Sequence, residues 1–197
     1  NKTIKPLSKT LKLSNSNSNS TPFLIVRMPF HPNQIETSEK IIASYQESPF
    51  IVLLAQMQSG KTGTYLLTAL KMMEMGLVDH VFIISGSSDK SLKDQAHNDL
   101  AEAREEYWSF MDRSATAEDT FDLLGKFKDN IHVKFSHDLK KITTLPDKTL
   151  IIHDESHMAQ SKNNIPYRDF YRKHGIQGAL KGSFRTIRKK NILILGV

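Results

Sequence analysis

Two short segments carry residue types that suit phosphate chemistry. Residues 55–62 have the sequence Ala-Gln-Met-Gln-Ser-Gly-Lys-Thr, and residues 154–157 have the sequence Asp-Glu-Ser-His. A lysine and a hydroxyl that follow a glycine turn can bind the phosphates of a nucleotide and its magnesium ion. Adjacent carboxylates can hold magnesium and activate water. Together the segments predict a site that hydrolyses a nucleoside triphosphate.

The first segment has the form of a phosphate-binding loop, although Ala55 stands where the usual pattern has its first glycine. Gly60 allows a tight turn, after which successive amide N–H groups can point at phosphate oxygens. Lys61 is expected to contact the β- and γ-phosphates, and Thr62 to bind Mg²⁺. The residues predicted to bind the nucleotide are Gln58, Ser59, Gly60, Lys61, Thr62 and Gly63.

The second segment supplies the carboxylates. Asp154 is expected to hold Mg²⁺, and Glu155 to orient and deprotonate the attacking water. A solvated turn at a strand end is the plainer alternative. A zinc site is another, because His153 and His157 flank the carboxylates. A zinc site would require further nitrogen or sulfur ligands, and the chain has no cysteine. Magnesium is therefore the preferred metal.

Both segments follow short apolar runs, at 50–54 and 149–152, that are typical of buried strands. Strands alternate with helices along the chain, which predicts an α/β fold with a mainly parallel sheet and helices on both faces. Ligands bind such sheets at the carboxyl ends of the strands, where both segments fall. The other predicted strands are 22–27, 80–85, 131–135 and 192–195, and the predicted helices are 33–47, 61–75, 88–106 and 117–127.

With these motifs the chain resembles the first RecA-like domain of a superfamily-two helicase or translocase of the Asp-Glu-x-His type, over about residues 29–197. The viral, phage and restriction-type members are the most similar. Gln34 matches the glutamine that recognises adenine in that superfamily. Residues 81–88 resemble a strand whose end contacts nucleic acid, which makes Ser85, Ser87 and Ser88 candidate contacts. The resemblance also implies that the strand at 192–195 lies between those at 50–54 and 149–152.

The resemblance implies an ATP hydrolase that uses Mg²⁺ and acts on nucleic acid, DNA rather than RNA, with Lys61 and Glu155 as its catalytic residues. We expect the domain to be incomplete at its C-terminal end, because the Ser-Ala-Thr motif and the second RecA-like domain would follow residue 197. A nucleic-acid-binding fragment without ATP turnover of its own is therefore the alternative. A small-molecule kinase is a third possibility, but it leaves Gln34 unexplained.

Composition is ordinary for a globular domain, with 39% hydrophobic and 24% charged residues among 197. No apolar run is long enough to span a membrane, and the lack of cysteine suits an intracellular location, either cytoplasmic or nuclear, with a viral origin left open. Residues 1–21 form a basic, Ser/Asn-rich segment that predicts a disordered tail or linker. Residues 22–197 are then the RecA-like domain.

The net charge of +6 is concentrated in two places, the tail and residues 162–190. The second stretch carries many lysines and arginines against the single acid Asp169. It could bind a phosphate backbone, or it could be a solvated basic face of a helix, and the sequence favours neither.

Overall fold

A parallel β-sheet organises the chain. In a computed structural model, the residues described are 30–54, 60–85, 90–110, 117–154 and 165–197, so the predicted tail at 1–21 and strand at 22–27 lie outside them. Within these ranges five strands form one sheet in the order β1-β5-β4-β2-β3, and every neighbouring pair is parallel. The strands are β1 Phe50–Val52, β2 His80–Ser85, β3 Ile131–Phe135, β4 Thr149–Asp154 and β5 Leu193–Gly196.

Strand β5 lies between β1 and β4, as predicted for the segment at 192–195. The register pairs Ile51 with Leu195, and Leu195 with Ile152. On the other side of β4, Asp154 pairs with Ser85. The carboxyl ends of β1, β4 and β2 are therefore aligned along one edge of the sheet, and the predicted phosphate and carboxylate motifs both follow strands at this edge.

The strand before the phosphate loop is shorter and less buried than predicted. β1 spans three residues instead of 50–54, and Val52 is 44% and Leu54 89% exposed. Leu53 still donates a backbone hydrogen bond to Gly196 O at 2.7 Å. In the described sheet β1 has β5 as its neighbour on one side, so its side chains are covered less than those of a central strand. The prediction of a fully buried five-residue strand was wrong for this reason.

The helices agree with their predicted positions to within a few residues at either end. α2 is rich in leucine and methionine, both good helix formers, and ends just before Gly76, which adopts a left-handed conformation with φ of 67°. The helices are α1 Pro32–Ser44, α2 Lys61–Glu74, α3 Lys90–Phe110, α4 Ala117–Asn130, α5 Ile165–Lys173 and α6 Arg185–Lys189, with 3₁₀ helices at Ser136–Lys141 and Gln177–Lys181.

Two apolar cores lie on opposite faces of the sheet. Leu150 and Ile152 of β4 pack in the first core with residues of α1 to α4, which include Leu67 and Leu70. Ile151 packs in the second core with α5, α6 and both 3₁₀ helices. This alternation is the period of two expected for a strand. The predicted fold, a parallel sheet with helices on both faces, is confirmed.

None of the described helices combines the length and the apolar character that crossing a membrane would require.

Candidate functional site

The first turn of α2 follows the carboxyl end of β1 and carries the described part of the phosphate loop. Gly60 stands at the N-cap with φ of 78°, a left-handed conformation that favours glycine. Lys61, Thr62 and Gly63 follow, each partly exposed. The first N–H groups of a helix lie outside its internal hydrogen-bond pattern and carry partial positive charge, so this turn is suited to bind an anion. Gln58 and Ser59 lie outside the described residues.

Gln34 of α1 packs directly on this turn and is 7% exposed. Its Nε2 donates to Gly60 O at 3.0 Å, and its Oε1 accepts from the backbone N–H of His31 at 2.8 Å. A Cβ atom at Gly63 would overlap Gln34 Nε2, which explains why a glycine stands in the first turn of the helix. Each end of the amide retains capacity for one more hydrogen bond. Adenine recognition by Gln34 stays a prediction, whereas its contact with the phosphate loop is a finding.

Tyr65 connects the two motifs. Its ring is 3% exposed, and its hydroxyl lies near the side chains of Thr62 and Asp154. Burial raises the pKa of this hydroxyl, and the charge of Asp154 raises it further. The Thr62 hydroxyl and the Asp154 carboxylate therefore lie around one phenol group. Hydroxyl and carboxylate oxygens are ligand types that Mg²⁺ prefers, so the pair fits the predicted metal.

Asp154 ends β4 on the face that packs against α2, since Leu150 and Ile152 point to the same side. Ser85, a predicted nucleic-acid contact, is its partner on β2 and is partly exposed at the strand end. Glu155, Ser87 and Ser88 lie outside the described residues. The structure thus brings Thr62, Asp154 and Ser85 to one end of the sheet.

A cavity of about 300 Å³ opens beside the first turn of α2. The wall from α3 carries three carboxylates, those of Asp99, Glu102 and Glu106. Burial, and then the negative charge of Glu102, raises the pKa of Asp99 and of Glu106. This wall is suited to hydrogen-bond donors rather than to phosphate. The remaining lining residues are Phe30, His31, Gln34, Thr62, Gly63, Leu66 and Ala103.

His153 faces away from this cavity. Its ring lies on the opposite side of the sheet, where Nε2 is 2.6 Å from the hydroxyl of Tyr171 on α5. Burial lowers the pKa of His153 to about 4, so the ring is neutral at pH 7. Among the residues described, no three histidine, aspartate or glutamate side chains converge on a common point. His153 therefore does not join Asp154 in a metal site.

A second, larger cavity of about 590 Å³ lies between α5 and the 3₁₀ helix Ser136–Lys141, and we call it the basic groove. Its floor includes Leu139 and Phe170, and its rim carries several cationic side chains and one carboxylate. It begins where β3 ends, and β3 pairs with β2 up to Ser85. The charged residues and histidine that line it are His137, Lys140, Asp169, Arg172 and Lys173.

Sequence reasoning missed Tyr65, Asp99 and Tyr171. Tyr65 follows Thr62 by three residues in a predicted helix, and that spacing puts both side chains on one face, so its contact could have been found. Asp99 lines the cavity and Tyr171 contacts His153 on the opposite face through packing between distant elements, which no local spacing indicates.

One comparison with known proteins gives a match. A family model described as type III restriction enzyme, res subunit, matches residues 27–193, which is most of the chain. The matched range includes Gln34, the phosphate loop and the segment that begins at Asp154. No curated protein matches the chain.

Proposed function

The chain belongs to the family of type III restriction enzyme res subunits, which are helicase-like ATPase motor domains, and from this premise we propose that it binds and hydrolyses ATP as the N-terminal motor domain of a nucleic-acid helicase or translocase. The observation that carries the proposal is the position of Tyr65, whose hydroxyl lies near a residue of the phosphate loop and a residue of the carboxylate motif. This proximity supports one site built from two motifs that are far apart in sequence.

The triphosphate is proposed to bind at the first turn of α2. The N–H groups of that turn and the helix dipole favour a negative charge there. Lys61 adds an ammonium group that neutralises charge on the β- and γ-phosphates as the terminal phosphoryl group transfers to water. Gly60 and Gly63 carry no side chain that could cover the backbone toward the phosphates, and the Gln34 side chain packs against both of them.

Thr62 and Asp154 are the residues that would hold Mg²⁺. When bound, the ion supplies Lewis-acid stabilisation of the phosphoryl oxygens. Glu155 follows Asp154 directly in sequence and is proposed to accept the proton of the attacking water. Tyr65 keeps the Asp154 carboxylate and the Thr62 hydroxyl in place around its own hydroxyl.

The adenine is proposed to enter the cavity between α1 and α3. The amide of Gln34 lies at one side of this cavity, and the carboxylates of Asp99, Glu102 and Glu106 lie at the other. Carboxylates accept hydrogen bonds, so they suit the exocyclic amino group of adenine and the hydroxyls of ribose. They also disfavour phosphate in the cavity, which directs the triphosphate to the first turn of α2.

Nucleic acid, with DNA favoured over RNA, is proposed to bind along the carboxyl edge of β2 and β3. Ser85 is one part of this proposed surface and the basic groove is the other. Ser87 and Ser88, which follow Ser85 closely in sequence, are proposed as further contacts. Lysine and arginine side chains at the groove supply the charge that a phosphate backbone requires. Full turnover is proposed to require a second RecA-like domain beside the domain at residues 22–197.

Nucleotide binding tests the proposal directly. Fluorescent ATP analogue is titrated into the full chain with and without Mg²⁺. Lys61→Ala is expected to weaken binding at least about tenfold, the effect of losing one charge-assisted contact of 1.5–3 kcal/mol. The matched control is Lys71→Ala on the same helix, whose side chain pairs with Glu39 at 3.0 Å away from the site. Equal binding by the wild type and Lys61→Ala would remove the proposal.

The second candidate function is nucleic-acid binding without ATP turnover, and the basic groove is the observation that favours it. Labelled single- and double-stranded DNA and RNA are titrated across a salt series, with and without ATP. Steep salt dependence that does not respond to ATP supports the binding module. Phosphate release stimulated by nucleic acid, and lost in Glu155→Gln, supports the motor.

A further inference from the structure

His153 and Asp154 are consecutive residues at the end of β4, and their side chains point to opposite faces of the sheet. Asp154 contacts Tyr65 of α2, and His153 contacts Tyr171 of α5. The backbone here is held on both sides, since His153 pairs with Ile84 and with Gly196. The contacts of His153 on one face and of Asp154 on the other therefore meet at the same strand end.

The contact between His153 and Tyr171 is a polar pair inside an apolar core. His153 Nε2 lies 2.6 Å from the Tyr171 hydroxyl, and the two rings stack with centroids 5.5 Å apart. His153 is 3% and Tyr171 1% exposed. Neighbouring members of the core include Ile84, Ile151 and Phe170, and the ring of Tyr167 lies 5.4 Å from that of His153. Two phenyl rings could fill the same space, so packing alone does not explain a histidine and a hydroxyl.

One polar atom of this pair has no hydrogen-bond partner among the described residues. This atom is His153 Nδ1, and it is buried. A buried polar group of this kind is unfavourable for folding, so its presence points to a role other than stability.

Helix α5 connects this pair to the basic groove. Tyr171 and Phe170 point into the core, whereas Arg172 and Lys173 line the groove on the outer side. Lys173 Nζ also donates to Lys140 O at 3.1 Å, which ties α5 to the 3₁₀ helix across the groove. A ligand that binds in the groove contacts the helix that holds the His153 partner.

We infer that the hydrogen bond between His153 and Tyr171 couples nucleic-acid binding in the basic groove to nucleotide binding at Asp154, which makes both side chains positioning residues. The inference rests on the proposed function, because it takes the groove as the nucleic-acid surface and Asp154 as a magnesium ligand. Such coupling is reciprocal: nucleic acid strengthens nucleotide binding by the same factor as nucleotide strengthens nucleic-acid binding.

The test measures the dissociation constant of a non-hydrolysable fluorescent ATP analogue with Mg²⁺, using the full chain with and without saturating single-stranded DNA. In the wild type we expect DNA to change this constant at least about fivefold. Tyr171→Phe is expected to reduce this coupling at least about twofold, the lower end of the contribution of one neutral hydrogen bond. Without DNA, its nucleotide affinity should stay within about twofold of the wild type, since the ring still packs.

Tyr45→Phe is the matched control. It removes one buried hydroxyl that has no hydrogen-bond partner among the described residues, and it does so on α1, away from the pair. Its coupling should equal that of the wild type. His153→Phe should reduce the coupling as Tyr171→Phe does, and the double variant should lose no more than either single one. His153→Gln, whose amide can replace Nε2, should restore part of the coupling.

The outcomes separate the inference from the proposed function. Two results would overturn the inference alone, provided that nucleotide binding depends on Lys61. One is that DNA does not change nucleotide affinity, and the other is that DNA changes the nucleotide affinity of Tyr171→Phe as much as that of the wild type. If nucleotide binding does not depend on Lys61, both are overturned. Should Tyr171→Phe fail to fold by circular dichroism, the comparison of His153→Phe with His153→Gln decides the question.

Discussion

The carbonyl oxygen of Gly60 accepts three hydrogen bonds, from Thr64 N at 3.0 Å, Thr64 Oγ1 at 3.2 Å and Gln34 Nε2 at 3.0 Å. The end of the phosphate loop is therefore fixed by its own helix and by α1 together. The side chain proposed to recognise the base is therefore in direct contact with the loop proposed to hold the phosphates. The link is short and involves one amide, so it can be tested by single substitutions.

Gly63→Ala is expected to have opposite effects in two backgrounds. In the wild type the new methyl group overlaps Gln34 Nε2, and the loss of the Gln34 hydrogen bonds should lower the free energy of unfolding by about 1 kcal/mol. In the Gln34→Ala background the overlap is absent, and alanine should stabilise the helix by about 0.5–1 kcal/mol. Urea denaturation of all four proteins measures both values. The same sign in both backgrounds would contradict the packing of Gln34 on the helix.

Tyr65→Phe is expected to raise the Mg²⁺ concentration that nucleotide binding requires. Removing the hydroxyl takes away the group that orients Thr62 and Asp154, and partners of this kind are typically worth about 10- to 100-fold in metal affinity. The measurement is the Mg²⁺ concentration that gives half-maximal binding of the ATP analogue. Tyr107→Phe is the control, because its hydroxyl bonds Glu74 at the far end of α2. An unchanged magnesium dependence would remove the role assigned to Tyr65.

At the scale of elements, the order of the strands does most to create the site. Phosphate-loop and carboxylate motifs follow β1 and β4, and β5 separates these strands. The prediction that the strand at 192–195 lies between the other two was therefore needed to place both motifs at one edge of the sheet. The resemblance to a known family supplied that step, since hydrophobic runs predict strands but not their order.

Lys140→Ala with Lys173→Ala should weaken binding of single-stranded nucleic acid and flatten its salt dependence. Each lysine that contacts a phosphate contributes a slope of about 0.7 in a plot of log affinity against log salt concentration, so the double variant should lose about 1.4. Fluorescence anisotropy across a salt series measures the slope. Lys40→Ala is the control, because that side chain is 72% exposed on α1 and pairs with Glu36. An equal loss in the control would mean that net charge, rather than the groove, sets the slope.

Across the whole molecule, the two cores share one sheet and should unfold together. Ile151 and Ile152 are both fully buried, one in each core. Replacing either by alanine is expected to reduce stability by about 2–5 kcal/mol. Fluorescence of Trp108, the single tryptophan, reports on the first face, and circular dichroism reports on all elements. Coincident transitions by both probes are expected in each variant. A fluorescence transition unaffected by Ile151→Ala would show that the faces unfold separately.

Fold class and most element positions could be predicted from the sequence, because alternating apolar runs and helical periods are local signals, whereas the strand order that aligns the motifs came from the family resemblance. The exposure of Leu54 could not be predicted, since it depends on β1 having a single neighbour in the described sheet. Nor could the pairing of His153 with Tyr171, because those side chains meet only after α5 folds onto the sheet. Contacts that form only when elements pack together do not produce a periodic pattern in the amino-acid sequence.

The alternation at the end of β4 has a consequence for how this part of the chain can vary. Inserting or deleting a single residue between Leu150 and His153 would exchange the two faces, which would turn the carboxylate toward α5 and the imidazole toward α2. A substitution in the strand changes one of these contacts at a time, whereas a change of length by one residue would remove the contacts of Asp154 with α2 and of His153 with α5 together. The number of residues in this strand therefore matters more to both contacts than the identity of its apolar side chains.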